Sequence, residues 1–129
     1  MNLPEPTMGN KVFKLIIAGG REFSDYGLLQ KKVDVMIAEK RHSCTIEIVS
    51  GKAKGADALG EKYAAANNFS VKAFPADGNK GNSAGYERNQ AMSEYADACI
   101  CFWDGKSKGT KHLIDLATAA GIPLRVVNY

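Results

Sequence analysis

Five short apolar runs, separated by helix-like stretches, are the feature that most limits what this chain can fold into. The runs are rich in β-branched residues, and each has the length of a strand. Several are apolar at nearly every position, which is typical of strands covered on both faces. The predicted strands are residues 13–18, 46–49, 71–74, 98–103 and 124–127.

Apolar residues recur at three-to-four spacing between these runs, and this period predicts four helices. The first has Asp25 as a plausible N-cap, and the last ends where Gly121 and Pro123 stop a helix. Strict alternation of strand and helix implies parallel strands joined by right-handed crossovers. The predicted fold class is therefore α/β: a doubly wound parallel sheet of about five strands, order 3-2-1-4-5, with helices on both faces.

A length of 129 residues favours one domain, which we place at 12–129 behind a flexible N-terminal lead-in at 1–11. Three cysteines cannot close a disulfide framework, so we expect free thiols and a cytoplasmic location. No apolar run approaches the roughly 20 residues of a membrane helix, so we expect no membrane partner. There is no His/Cys cluster for a metal site, and no cofactor is evident; whether a divalent metal takes part stays open.

Glycine and lysine cluster in the loops after the first, second and fourth predicted strands, at 19–23, 50–57 and 104–110. These loops share one edge of a parallel sheet, and ligands of doubly wound sheets bind there, where the strand order reverses. Glycine allows close approach of backbone to ligand, and helix starts favour anions. Any one such loop is equally well a simple connection, but three together predict a phosphate site.

The predicted ligand-binding residues lie in these loops or near the start of the third helix. Arg88 supplies charge to a phosphate or pairs with a surface carboxylate such as Glu87. Asp57 accepts from ribose hydroxyls or suits a helix's first turn. Phe23 and Trp103 stack on a base, although Trp103 also fits a core. The full set is Gly19, Gly20, Arg21, Phe23, Ser50, Gly51, Lys52, Gly55, Ala56, Asp57, Arg88, Asn89, Trp103, Asp104, Gly105, Ser107, Gly109 and Thr110.

Two familiar phosphate motifs are absent. A Walker loop built on Gly105-Lys106-Ser107 would need glycine where Ile100 stands, and Gly19-Gly20 lacks the third glycine of a dinucleotide fingerprint. These absences disfavour a P-loop and NAD-type binding. The polar segment 77–83 has the length and composition of a lid.

Four motifs together resemble one known family: GGREF at 19–23, SGKAKGAD at 50–57, RNQAM at 88–92 and FWDGKSKGT at 102–110. They resemble the YspA-like branch of the SLOG superfamily, which joins the DprA/Smf DNA-processing proteins with the LOG phosphoribohydrolases. The resemblance implies a Rossmann-like fold, a bacterial or phage source and a homo-oligomer. It also implies a nucleotide or nucleotide-derived ligand at the glycine loops.

The chain departs from the hydrolytic LOG pattern at one position. LOG members carry a glutamate three residues after the Gly-Thr pair, and Leu113 stands there in this chain. Arg88 matches the place of a LOG-like catalytic arginine. If the protein is an enzyme, the resemblance implies a nucleotide N-glycosidase, with Arg88, Asp104 and Glu87 as catalytic candidates and Asp57 as a further substitute.

Three functions follow from these features. The first is a module that senses or sequesters a phosphorylated nucleotide-derived small molecule. The second is an N-glycosidase or phosphoribosyl hydrolase acting on the same ligand. The third is DprA-like nucleic-acid binding, because eight of the 17 basic residues lie in or beside the loops; a pI of 8.7 is below the strongly basic balance typical of that class.

Overall fold

A five-stranded parallel sheet organises the computed structural model, which describes residues 11–81 and 83–129. The strand order β3-β2-β1-β4-β5 confirms the predicted one, and each neighbouring pair is parallel. The lead-in predicted at 1–11 lies outside the described residues apart from Lys11. The strands are β1 Val12–Gly19, β2 Thr45–Ser50, β3 Ser70–Ala73, β4 Ala98–Trp103 and β5 Leu124–Asn128.

The four predicted helices are confirmed, and two shorter elements were not predicted. The helices are α1 Tyr26–Ile37, α2 Lys40–Ser43, α3 Ala56–Ala66, α4 Ser83–Tyr95 and α5 Lys108–Ala120. The four-residue α2 is too short to show a helical period. A 3₁₀ turn at Gly78–Lys80 occupies the segment predicted as a lid, and Asp77 caps it by accepting from the Asn79 N–H.

The two faces of the sheet are covered by different pairs of helices. On one face, Leu15 and Ile17 of β1 belong to a cluster with Leu29 of α1 and Tyr63 of α3. On the other face, Ile16 and its neighbours pack with residues of α4 and α5, including Met92, Leu113 and Ala117. Burial on both faces explains why residues 15–18 of β1 and residues 98–102 of β4 are all apolar. The edge strand β3 is not buried by helices in this way, and its four residues are all exposed.

The site is positioned by the meeting of β1 and β4 at the centre of the sheet. Gly19 pairs with Phe102, and the Gly20 N–H donates to the Phe102 carbonyl at 3.0 Å. A Cβ on Gly19 would lie 2.2 Å from that carbonyl oxygen, so only glycine allows this close approach. The helix that follows β1 packs on one face of the sheet, and the helix that follows β4 packs on the other. The two connecting loops therefore diverge and leave a crevice beyond the carboxyl ends of the strands.

Candidate functional site

Two adjoining cavities open at the carboxyl edge of the sheet. The first, which we call the central cavity, has about 370 Å³ and lies between the loops after β1 and β4 and the helices α4 and α5. The second, the lateral cavity, has about 490 Å³ and lies between residues 51–53 and the chain from Pro75 to Arg88. Arg21, Ala53 and Arg88 line both.

The structure brings most of the predicted ligand-binding residues to these two cavities. Gly51 and Lys52 line the lateral cavity, together with Arg21 and Arg88. The predicted residues that line the central cavity are Gly19, Gly20, Arg21, Asp57, Arg88, Asn89, Asp104, Ser107, Gly109 and Thr110. The predicted residues that line neither are Phe23, Ser50, Gly55, Ala56, Trp103 and Gly105.

Arg88 stands between the cavities and is held on two sides. Its Nη1 donates to the Gly51 carbonyl at 2.6 Å, and its Nε donates to Asn89 Oδ1 at 3.0 Å. The buried Asn89 amide in turn donates to the Gly109 carbonyl at 3.1 Å and lies 3.3 Å from His112 Nδ1. These bonds join α4 to the loop after β2 and to the first turn of α5. The guanidinium therefore has a fixed place at the boundary between the two cavities.

Asp57 is the buried carboxyl of the central cavity, with only 4% of the residue exposed. It lies in the first turn of α3 and accepts a long hydrogen bond of 3.4 Å from the Ala53 N–H. Burial raises the pKa of Asp57 to about 6, against the lowering effects of backbone N–H groups and of the Arg88 charge. The carboxyl is therefore able to gain or lose a proton near neutral pH.

Comparisons with known proteins agree with this geometry. The sequence model of the YspA, cpYpsA-related SLOG family (YAcAr) matches residues 13–81. The Gene 61 protein of Mycobacterium phage D29 is 31% identical in an alignment of 125 positions that covers 90% of this chain and 95% of that protein. The chain belongs to the YspA-related SLOG family. This membership confirms the resemblance carried by the glycine-loop motifs.

Two solved structures share the fold of this SLOG protein. DNA processing protein A (DprA) from Streptococcus pneumoniae superposes with a TM-score of 0.65 at 20% identity, covering 97% of this chain and 52% of DprA. The protein TM1055 superposes with a TM-score of 0.59 at 20% identity, covering 89% of this chain and 72% of that one. The chain thus spans about half the length of DprA. At these identities the likeness shows the Rossmann-like fold alone.

Neither of the two aromatic residues predicted to stack on a base lines a cavity of this SLOG domain. Phe23 is 3% exposed and stacks on Phe102 with ring centroids 4.7 Å apart, so the prediction that it faces a ligand is wrong. Core packing removes its ring from the crevice. The Trp103 indole N–H donates to the Ser107 carbonyl at 3.0 Å, so this ring braces the turn after β4.

The loop after β2 is supported from within by residues predicted to bind phosphate. The buried Ser50 hydroxyl donates to Glu61 at 2.7 Å and accepts from the Lys52 N–H, so it is not free to donate to a phosphate as predicted. The Ala56 N–H donates to the Gly20 carbonyl at 3.2 Å. Gly55 meets the same carbonyl with a φ of +73°, where a Cβ would lie 2.2 Å from the oxygen. These contacts fix two glycine loops against each other.

The three carboxylates considered for catalysis differ in position. Asp104 is exposed at the central cavity and accepts from the Lys106 and Ser107 N–H groups at 2.8 Å each. These hydrogen bonds hold the pKa of Asp104 below its usual value. Glu87 lines neither cavity. Asp57 is the buried one, and it shares the central cavity with Leu113, the residue at the position of the LOG glutamate.

Sequence reasoning missed Glu22, Ala53 and Tyr129 as lining residues of the central cavity. Tyr129 follows β5, and its N–H donates to the Trp103 carbonyl at 3.2 Å. A Cβ on Gly20 would lie 1.9 Å from the Tyr129 hydroxyl, so the phenol lies against this glycine. The signal that could have found Tyr129 is the predicted place of β5 beside β4, because the residue after β5 then lies at the same edge of the sheet.

Residues 11–81 and 83–129 contain neither a cluster of metal-ligating side chains nor a helix that could cross a membrane. In these ranges no group of three His, Cys, Asp or Glu side chains is close enough to hold a metal ion. None of the helices described there is both long and apolar enough to span a bilayer.

Proposed function

We propose that this SLOG protein binds a nucleotide-derived, phosphorylated small molecule at the crevice, as a sensing or sequestering module. The observation that carries the proposal is the convergence of Arg21 and Arg88 on a cavity walled by glycine loops. The two arginines come from different elements, the loop after β1 and helix α4. Guanidinium groups pair with phosphate through forked, charge-assisted hydrogen bonds.

The rest of the central cavity suits a nucleoside. Tyr129, Met92 and Leu113 supply apolar surface for a base, and the buried Asp57 carboxylate supplies an acceptor for sugar hydroxyls. Its volume of about 370 Å³ falls in the range of small-molecule sites. The crevice also lies at the switch point of the strand order, where ligands of this fold class bind.

Calorimetry against mono-, di- and cyclic nucleotides tests the proposal. We expect binding by the wild type and at least tenfold weaker binding by Arg21→Ala, since a charge-assisted hydrogen bond contributes about 1.5–3 kcal/mol. Arg125→Ala is the matched control: it removes an exposed arginine of β5 that lines neither cavity. No binding of any nucleotide at millimolar concentration would overturn the proposal. An equal loss in both variants would assign the effect to net charge.

The buried carboxyl of Asp57 favours a second candidate function, cleavage of the ligand's N-glycosidic bond. In that reaction water adds its hydroxyl to the anomeric carbon, and the base leaves with a proton. Asp57, beside Arg88, is the group placed to accept the proton of water. The test is release of free base from nucleoside monophosphates. We expect Asp57→Asn to abolish the release of free base and Asp104→Asn to leave its rate unchanged. No release of base by the wild type would exclude the N-glycosidase function.

A further inference from the structure

The two cavities differ in the charge of the side chains that line them. The central cavity contains three carboxylates, Glu22, Asp57 and Asp104, besides its two arginines. Among the described residues that line the lateral cavity there are Arg21, Lys52 and Arg88 and no carboxylate. The Lys52 ammonium lies 2.9 Å from Glu61, so the two arginines supply most of the excess charge. A highly charged anion is therefore favoured on the lateral side and repelled from the carboxylates of the central cavity.

The walls of the lateral cavity consist mostly of backbone and small side chains. Four glycines and three alanines line it, and no aromatic ring does among the described residues. Glycine lets the backbone approach a ligand closely, as a phosphate chain requires. A nucleobase has more apolar surface to contact in the central cavity, which the Tyr129 ring and the Met92 side chain line.

The cavities join at the two arginines. Arg88 keeps its place through the Gly51 and Asn89 hydrogen bonds, and Arg21 lines both cavities. A nucleoside in the central cavity would direct its first phosphate toward this junction. The lateral cavity, with about 490 Å³ against about 370 Å³, has room for more than that one group.

We infer that the lateral cavity binds the phosphate chain of the ligand, and that the ligand is a nucleotide with at least two phosphates. The nucleoside occupies the central cavity, where its sugar hydroxyls donate hydrogen bonds to carboxylates, and the second phosphate lies beyond Arg88. This inference rests on the proposed function, and it assigns no phosphate to the start of α5. The N–H groups of Lys106, Ser107 and Thr110 there already donate to Asp104 or to the Ser107 hydroxyl.

Calorimetry with paired mono- and diphosphates of adenosine, guanosine, uridine and cytidine tests the inference. For the base that binds, we expect the diphosphate to bind the wild type at least tenfold more tightly than the monophosphate. Ala76→Trp fills the lateral cavity from an exposed position that does not line the central one. It removes this preference, a loss of about 1.4 kcal/mol for a tenfold change. Monophosphate affinity changes little, because Ala76 does not line the cavity that holds the nucleoside. Ala76→Leu, a smaller block, gives an intermediate preference.

Ala73→Trp is the matched control, because Ala73 is an exposed residue of β3 that lines neither cavity. It keeps the wild-type preference. Equal affinity for mono- and diphosphate, or equal weakening of both by Ala76→Trp, overturns the inference and leaves the proposed function intact. No binding of any of the eight nucleotides overturns the inference, and if the cyclic nucleotides do not bind either, the proposed function is overturned as well.

Discussion

At the scale of single residues, the most informative group is the Asp57 carboxyl. It is buried, it lines the central cavity, and its charged form is opposed by desolvation more than it is favoured by its hydrogen bonds and Arg88. A buried carboxyl with a raised pKa destabilises the unliganded fold whenever it is ionised. Buried groups with shifted pKa values that destabilise a fold are concentrated at functional sites, where they interact with a ligand. The position of Asp57 at the proposed site agrees with this rule.

The pH dependence of stability follows from this pKa. The unfolded carboxyl titrates near 3.8 and the folded one near 6, so the folded state binds the extra proton between these values. Asp57 therefore lowers the free energy of unfolding as pH rises from about 4 to about 6, by roughly 2–3 kcal/mol at 1.36 kcal/mol per pKa unit. Below about pH 4 the cost is absent, and above about pH 6 it is constant.

Denaturant unfolding of the wild type and Asp57→Asn at several pH values measures this effect. The difference between the two proteins isolates Asp57 from the other carboxylates. We expect Asp57→Asn to gain stability relative to the wild type across pH 4 to 6 and to keep that gain at pH 8. Parallel pH profiles for the two proteins would contradict the raised pKa.

At the scale of elements, the site depends on how closely the first two glycine loops approach each other. Gly55, the N-cap of α3, has a φ of +73°, and a Cβ there would lie within 2.7 Å of the Gly20 and Arg21 backbones. The contact involves backbone on both sides, so neither loop can relieve it by a change of rotamer. The loop after β1, which carries Arg21, is thus positioned by the start of α3.

Gly55→Ala is expected to lower the free energy of unfolding by about 2–4 kcal/mol, through the strained φ and the backbone clash. Gly27→Ala is the matched control: Gly27 is exposed in α1, where the nearest atom to an added Cβ is at 3.7 Å. This change is expected to stabilise by up to about 1 kcal/mol, because alanine favours a helix. Chemical denaturation measures both, and a neutral Gly55→Ala would show that the loops do not need this contact.

The elements themselves could be predicted from sequence, because strand and helix periods are local patterns. The same patterns predict that the loops after β1, β2 and β4 share one edge. Side-chain direction within a loop depends on contacts distant in sequence, and there prediction failed. Phe23 is in the core because Phe102, on another strand, offers its ring, and Ser50 is directed to Glu61 on α3. Tyr129 reaches the cavity because β5 pairs with β4 in one particular register.

At the scale of the whole molecule, the distribution of charge distinguishes a nucleotide pocket from a nucleic-acid surface. The net charge is only +3, and acidic groups interrupt the basic edge: Glu22 and Asp104 line the crevice. Two of the lysines in or beside the loops also have carboxylate partners, since Lys52 pairs with Glu61 and Lys111, in the first turn of α5, pairs with Asp115 at 2.8 Å. The cationic side chains at this edge therefore do not form a continuous row that could bind the phosphate backbone of a nucleic acid. The two arginines at the cavities instead suit a small anion.

Salt dependence separates these two ligands. For single strands the slope of log affinity against log salt is about −0.7 per phosphate neutralised. A single-stranded nucleic acid with phosphates paired to five cationic side chains therefore loses affinity on the order of a hundredfold between 50 and 200 mM salt. A nucleotide held by two arginines loses less than about tenfold over the same range. We expect a fluorescently labelled oligonucleotide to dissociate over this range while a bound nucleoside diphosphate stays. A strand retained at 200 mM salt, and displaced by that diphosphate, would instead place nucleic acid in the crevice.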